Sequence, residues 1–138
     1  MQRVRGGGNA VRAVASLPPE VRKAWLAGNS LPPTIRFYSV VTLPDGDHLS
    51  GILRPTYQKL ARIDPRNDGQ MIYSDQIIPG STLLGFLNAD HWAVAIPVDR
   101  AHGVIGSTFV NHNDYPREAL LEALLRYVEE DLSAAASR

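Results

Sequence analysis

Apolar residues along this chain recur at two spacings, and the change from one to the other marks the elements. Val21, Ala24 and Trp25 fall at helical intervals behind Pro18-Pro19-Glu20 and end at Gly28. Proline is tolerated in a first helical turn, glutamate there suits the helix dipole, and glycine is a natural stop, so a short helix is predicted. Residues 29–33 form a turn rich in breakers. Residues 34–43, Thr-Ile-Arg-Phe-Tyr-Ser-Val-Val-Thr-Leu, are dense in β-branched and aromatic types and apolar on both faces near the middle. That pattern predicts an interior strand of a parallel sheet covered on both sides. Pro44-Asp45-Gly46-Asp47 closes it in a turn.

Residues 49–63 read as helical in part, with Pro55 in a first turn and Tyr57, Leu60, Ala61 and Ile63 apolar behind it. A second strand is predicted over 82–87. Residues 92–96 fit a third strand or the start of a helix, because so short a run carries no decisive period. Residues 101–113 read as loop. The closing helix begins near Pro116, with Asp114 or Tyr115 as its cap. Leu120, Leu124, Val128 and Leu132 step by four with Leu121 and Leu125 beside them, and Glu122 can pair with Arg126 on the wet face. Residues 133–138 are expected to fray.

Strands alternating with helices define an α/β layer architecture with a parallel sheet. Two or three strands make a narrow sheet with open edges, so the chain reads as one end of a larger sheet. Residues 1–15 are expected to be a flexible lead-in and residues 16–138 a single α/β segment. Gly6-Gly7-Gly8 is not a phosphate loop by pattern, since no strand precedes it and no Gly-Lys-Ser/Thr follows.

Composition narrows the chemistry. With 138 residues, 44% hydrophobic and 20% charged, the chain is long and apolar enough for one folded domain. Fourteen basic and fourteen acidic side chains balance, which gives no electrostatic case for nucleic acid. The absence of cysteine excludes disulfides, thiol catalysis and thiolate zinc sites. No apolar run approaches the ~20 residues of a membrane span, and no signal-like stretch follows Arg3 and Arg5. A cytoplasmic location is the default expectation. No cofactor motif is found.

The candidate chemistry lies between residues 64 and 97. Asn67-Asp68-Gly69 is a turn sequence, the run 82–87 is a strand, and Asn88-Ala89-Asp90-His91 follows it. Asp68 by itself reads as a turn acid, His91 by itself as a structural histidine, and Asp90 as a cap. Together they are 23 positions apart, enough for one strand and its approach. An acid and a histidine on strand-exit loops of one parallel sheet lie at the same edge, where α/β sites form. There the carboxylate would fix the imidazole tautomer while the other ring nitrogen acted as base.

Asn67-Asp68-Gly69-Gln70-Met71-Ile72, after a strand containing Tyr38-Ser39 and before Asn88-Ala89-Asp90-His91, resembles the C-terminal third of a lipase/esterase-type α/β hydrolase of the serine hydrolase superfamily. The resemblance spans residues 17–132. It implies Asp68 as the triad acid, His91 as the triad base and carboxylic esters as substrates. Such enzymes also carry a G-x-S-x-G elbow upstream of the acid. Here Gly28-Asn29-Ser30-Leu31-Pro32 lacks the second glycine, Ser39 lies within a strand, and Ser81 and Ser107 follow the acid. The expectation is therefore a segment that supplies acid and histidine to a serine outside this chain. A non-catalytic binding or self-association domain, a homo-oligomer joined through the open sheet edge, is the alternative. A third reading is a metal module built on Asp45, Asp47 and His48 with His91, His102 or His112. Trp25, Tyr38, Tyr57, Tyr73 and Trp92 are candidates for a ligand pocket, and more ordinarily for core.

Overall fold

A computed structural model describes residues 19–95 and 115–137. The glycine-rich lead-in, the stretch 101–113 that reads as loop in the sequence, His102, His112, Ser107 and Asp114 lie outside them. The elements are α1 (Pro19–Gly28), β1 (Tyr38–Thr42), a 3-10 turn (Gly51–Leu53) running into α2 (Arg54–Leu60), a second 3-10 turn (Tyr73–Gln76), β2 (Thr82–Leu87), α3 (His91–Ala95) and α4 (Arg117–Ala136).

β1 and β2 pair in parallel as a two-stranded sheet, with Tyr38 opposite Thr82 and Thr42 opposite Leu87. A parallel pair needs a long crossover, and residues 43–81 supply it. The register slips between Ser39, opposite Leu83, and Val40, opposite Gly85, so β2 carries one extra residue there. The first strand is shorter than its β-branched run predicts. A turn closed by Ile35 N–H on Pro32 C=O occupies its expected start, and the ladder begins where Thr82 N–H meets Phe37 C=O. No third strand forms from residues 92–95, which are the helix α3.

α4 lies on the face of the sheet that carries Tyr38 and Val40, with Leu120, Leu124 and Tyr127 turned towards it. The Tyr38 and Tyr127 rings meet edge to face at 6.0 Å. Arg36 and Tyr38 both donate to the Asp131 carboxylate, which fastens the far end of α4 to the start of β1. Pro116, neither Tyr115 nor Asp114, occupies the N-cap of α4, and its carbonyl accepts Leu120 N–H at 3.0 Å. Proline has no side-chain oxygen with which to cap, so Pro116 contributes only its backbone to this end. The helix continues through Ala136, where fraying was expected over 133–138; Ser137 Oγ donates to Ser133 C=O and closes the last turn. Glu122 and Arg126 pair at 2.6 Å, as their spacing predicts.

Among the described residues the buried apolar ones are Val41, Leu49, Leu53, Ala89 and Ala93, all near the C-terminal ends of the strands. Mixed among them are buried polar groups, Ser50, Asn67, Asp68 and Asp90. Among the described residues the best-packed part is therefore the polar end of the sheet.

Candidate active site

Asp68 lies in a tight loop over residues 66–73. Asn67 and Ile72 form an antiparallel bridge, Tyr73 N–H bonds Arg66 C=O at 2.8 Å, and Asp68 N–H bonds Met71 C=O at 3.0 Å. Asn67 Oδ1 accepts Gly69 N–H across the turn. Arg66 grips Asp64 through two hydrogen bonds and stacks over Tyr73 at 4.0 Å, stiffening the approach. Gly69 has φ of 90°, a left-handed conformation that favours glycine.

His91 opens α3 immediately after β2. Asp90 anchors this turn: Oδ1 accepts Trp92 N–H and Ala93 N–H, and Oδ2 accepts Ser50 N–H at 2.6 Å. The capping role read from the sequence for Asp90 is thus present, with Ser50 as a further donor. Asn88 and Asp45 exchange two hydrogen bonds, tying the loop after β2 to the loop after β1.

These loops bring Asp68 and His91 together. His91 Nδ1 lies 2.8 Å from Asp68 Oδ2, and His91 N–H bonds Asp68 C=O at 3.2 Å. A carboxylate only accepts, so Nδ1 carries the proton and Nε2 is left as the basic nitrogen. Nε2 has no hydrogen-bond partner among the described residues. Asp68 is almost fully buried, yet its carboxyl is saturated: Oδ1 accepts from Gln70 and Met71 N–H, Oδ2 from Thr42 Oγ1 and His91. Burial pushes its pKa up, but the hydrogen bonds from His91, Gln70, Met71 and Thr42 outweigh that and hold it below the usual carboxylate value. The Asp68 hydrogen bond raises the pKa of His91, burial opposes the rise, and the charges of Asp68 and Asp90 add to it.

A cavity of about 790 Å³ opens beside the pair. Asp68, His91 and Thr42 sit on its wall with the aliphatic Val40, Leu87, Val94, Leu120 and Leu124, and with Arg22 and Asp75. Lys23 Nζ lies 3.0 Å from Asp75 Oδ1, a charge contact too poorly aligned for a hydrogen bond. None of the five aromatic candidates Trp25, Tyr38, Tyr57, Tyr73 and Trp92 lines this cavity. Apolar walls with a hydrogen-bonded acid–imidazole pair suit a ligand with a hydrocarbon body and one reacting polar group.

No serine among the described residues hydrogen-bonds His91. Ser39 and Ser81 bond each other at 2.7 Å at the N-terminal end of the sheet, and Ser39 Oγ also accepts Ile78 N–H. Three residue steps along the strand, about 10 Å, separate Ser39 from Thr42 at the end that holds the acid. The candidate metal group resolves differently. Asp45 accepts from the His48 ring at 2.6 Å and from Asn88, and these bonds, Asn88 first, hold its carboxyl far below the usual range. Among the described residues no three acids and histidines gather as a metal would require.

Sequence reasoning passes over Thr42 and Gln76. Thr42 touches the acid from 26 positions away and Gln76 grips Thr42 from 34. Neither stands in a local motif, and only the folded sheet end reveals them.

The chain shares an esterase-type fold with a solved carboxyl esterase. That protein is of metagenomic origin, 48% identical to this chain, with a TM-score of 0.80. The similarity covers 86% of this chain and 36% of the esterase, so the chain spans little more than a third of that protein's length. No family model and no curated protein matches the chain. Among the described residues no helix is long and apolar enough to cross a membrane.

Proposed function

We propose that this chain is the acid- and histidine-bearing segment of a serine α/β hydrolase that cleaves carboxylic esters. The nucleophilic serine comes from polypeptide outside these 138 residues. The observation that carries this reading is the 2.8 Å bond between His91 Nδ1 and Asp68 Oδ2 on the wall of an apolar cavity. The likeness to a carboxyl esterase supports the ester as substrate class.

In the reaction, His91 Nε2 takes the proton from the serine hydroxyl as its oxygen attacks the ester carbonyl. The imidazolium that forms keeps its Nδ1–H on Asp68, whose charge stabilises it. Nε2 then returns the proton to the departing alkoxide, and water repeats the sequence on the acyl-serine. Asp68 stays ionised throughout, consistent with its lowered pKa.

The test is complementation. This chain is co-expressed with the part of the metagenomic esterase that it does not match, and hydrolysis of p-nitrophenyl butyrate is measured. Activity is expected in the pair, falling by roughly 10³-fold or more with His91→Ala. Full activity with His91→Ala would sink the proposal.

A second reading, a non-catalytic self-association domain, is favoured by the exposed Trp25, Leu121, Leu125 and Leu132, which α1 and α4 leave uncovered among the described residues. It predicts an oligomer of this chain alone.

A further inference from the structure

Thr42 ends β1, and its hydroxyl meets two acceptors, Asp68 Oδ2 at 2.8 Å and Gln76 Oε1 at 3.0 Å. A hydroxyl has one proton to donate, and the nearer, charged acceptor takes it. Gln76 cannot turn to change this. Its Oε1 accepts Thr42 N–H at 2.7 Å and its Nε2 donates to Thr42 C=O at 3.1 Å. Rotating the amide by half a turn would set donor against donor and acceptor against acceptor. The threonine backbone is thus gripped at both polar groups, with its proton directed at the carboxylate.

Asp68 Oδ2 is also the oxygen that receives His91 Nδ1–H, whereas Oδ1 is taken by Gln70 and Met71 N–H. Of the four donors on this carboxylate, only the Thr42 hydroxyl shares an oxygen with the imidazole.

We propose that Thr42 is a positioning residue of the Asp68–His91 pair. By drawing charge from the shared oxygen, it limits how tightly the carboxylate holds the imidazolium. The proposal rests on the reading of His91 as a general base. The other charged groups around His91 are Asp90 on its own turn, and Arg22 of α1, Asp75 of the 3-10 turn and Arg117 of α4 on the shared cavity wall. Among the described residues none of these bonds Asp68 Oδ2, so their influence on the pair is through space.

The experiment is an NMR titration of the histidine ring carbons in the full chain, with His91→Ala assigning the His91 signal among the four histidines. Thr42→Val is expected to move the His91 midpoint upward by about half a pH unit or more, since a charge-assisted hydrogen bond on the shared oxygen is lost. Thr42→Ser, which keeps the hydroxyl, is expected to restore it. An unchanged midpoint in Thr42→Val, or one that falls towards 6.5, overturns the proposal. If Thr42→Val does not fold, Thr42→Cys, a weak donor of serine size, reads the same shift. The titration needs no ester turnover. A shift without activity in the complemented pair sustains this role and sinks the esterase reading; activity without a shift does the reverse.

Discussion

A methyl group on Gly69 would come within 2.9 Å of Leu53 Cβ, and the φ of 90° is one that side-chain-bearing residues rarely adopt. Both penalties fall one residue after the acid. Gly69→Ala is expected to cost about 1–3 kcal/mol, measured by urea denaturation. The titration of the pair gives a second residue-scale prediction. The pKa of His91 is raised, so the stability its imidazolium contributes is complete below about 6.5 and is lost as pH climbs through the folded value. The pKa of Asp68 is lowered, so its contribution is present above about 3.8 and is lost as pH falls through its folded value. A general base needs the neutral imidazole instead. Ester hydrolysis by the assembled enzyme should therefore rise through a midpoint above 6.5, and Asp68→Asn should bring that midpoint down, as a pH–rate profile would record. Asp68 and His91 stand out in the sequence because each occupies a recognisable local setting, a turn and a strand exit. Thr42 and Gln76 do not, because a strand-end threonine and an amide acquire their significance only when the chain returns to them.

At the level of elements, the turn before α3 is the one on which the site depends most directly. Asp90 holds two helix N–H groups and the buried Ser50 N–H together. Asp90→Ala removes a cap and the hydrogen bond to Ser50 N–H, with an expected cost of about 1–3 kcal/mol in chemical denaturation. The same change should broaden the His91 resonance, since the turn that places the ring loosens. The elements themselves were legible wherever pattern and length agreed. β2 occupies 82–87 as predicted, α1 ends at Gly28 as its glycine stop implies, and α4 follows its apolar stripe but takes Pro116 as its N-cap. The misreadings have physical causes. Residues 34 and 35 are as β-prone as those after them, but Pro32 and Pro33 draw them into a turn closed by Ile35 N–H on Pro32 C=O. Residues 92–95 suit either state by period, and the Asp90 carboxylate decides for helix by binding the first N–H groups.

For the whole molecule, the decisive fact is how little apolar surface the described residues cover. The five buried apolar residues among them cluster at one end of the sheet, while Phe86 and Leu125 remain about 60% exposed. Among the described residues, β1 has a strand partner on one edge only. Phe37 C=O and Leu43 N–H bond β2, so alternation turns the N–H and C=O of Tyr38, Val40 and Thr42 to the other edge. Unpaired strand edges recruit strands. The Val40 amide should therefore exchange rapidly in the isolated monomer and become protected on association, whether with a second copy or with the unmatched part of the metagenomic esterase. Light scattering with hydrogen exchange would distinguish the two, and a monomer at high concentration with an unprotected Val40 would remove self-association. The Gln76 amide then takes on a second meaning. It presents to Thr42 the donor and acceptor that a neighbouring peptide would present, and so occupies the last rung of that edge. An incoming strand can add at Tyr38 and Val40 but must halt before Thr42. Its end is thereby steered away from the carboxylate, and the mouth of the site stays open however the sheet is extended.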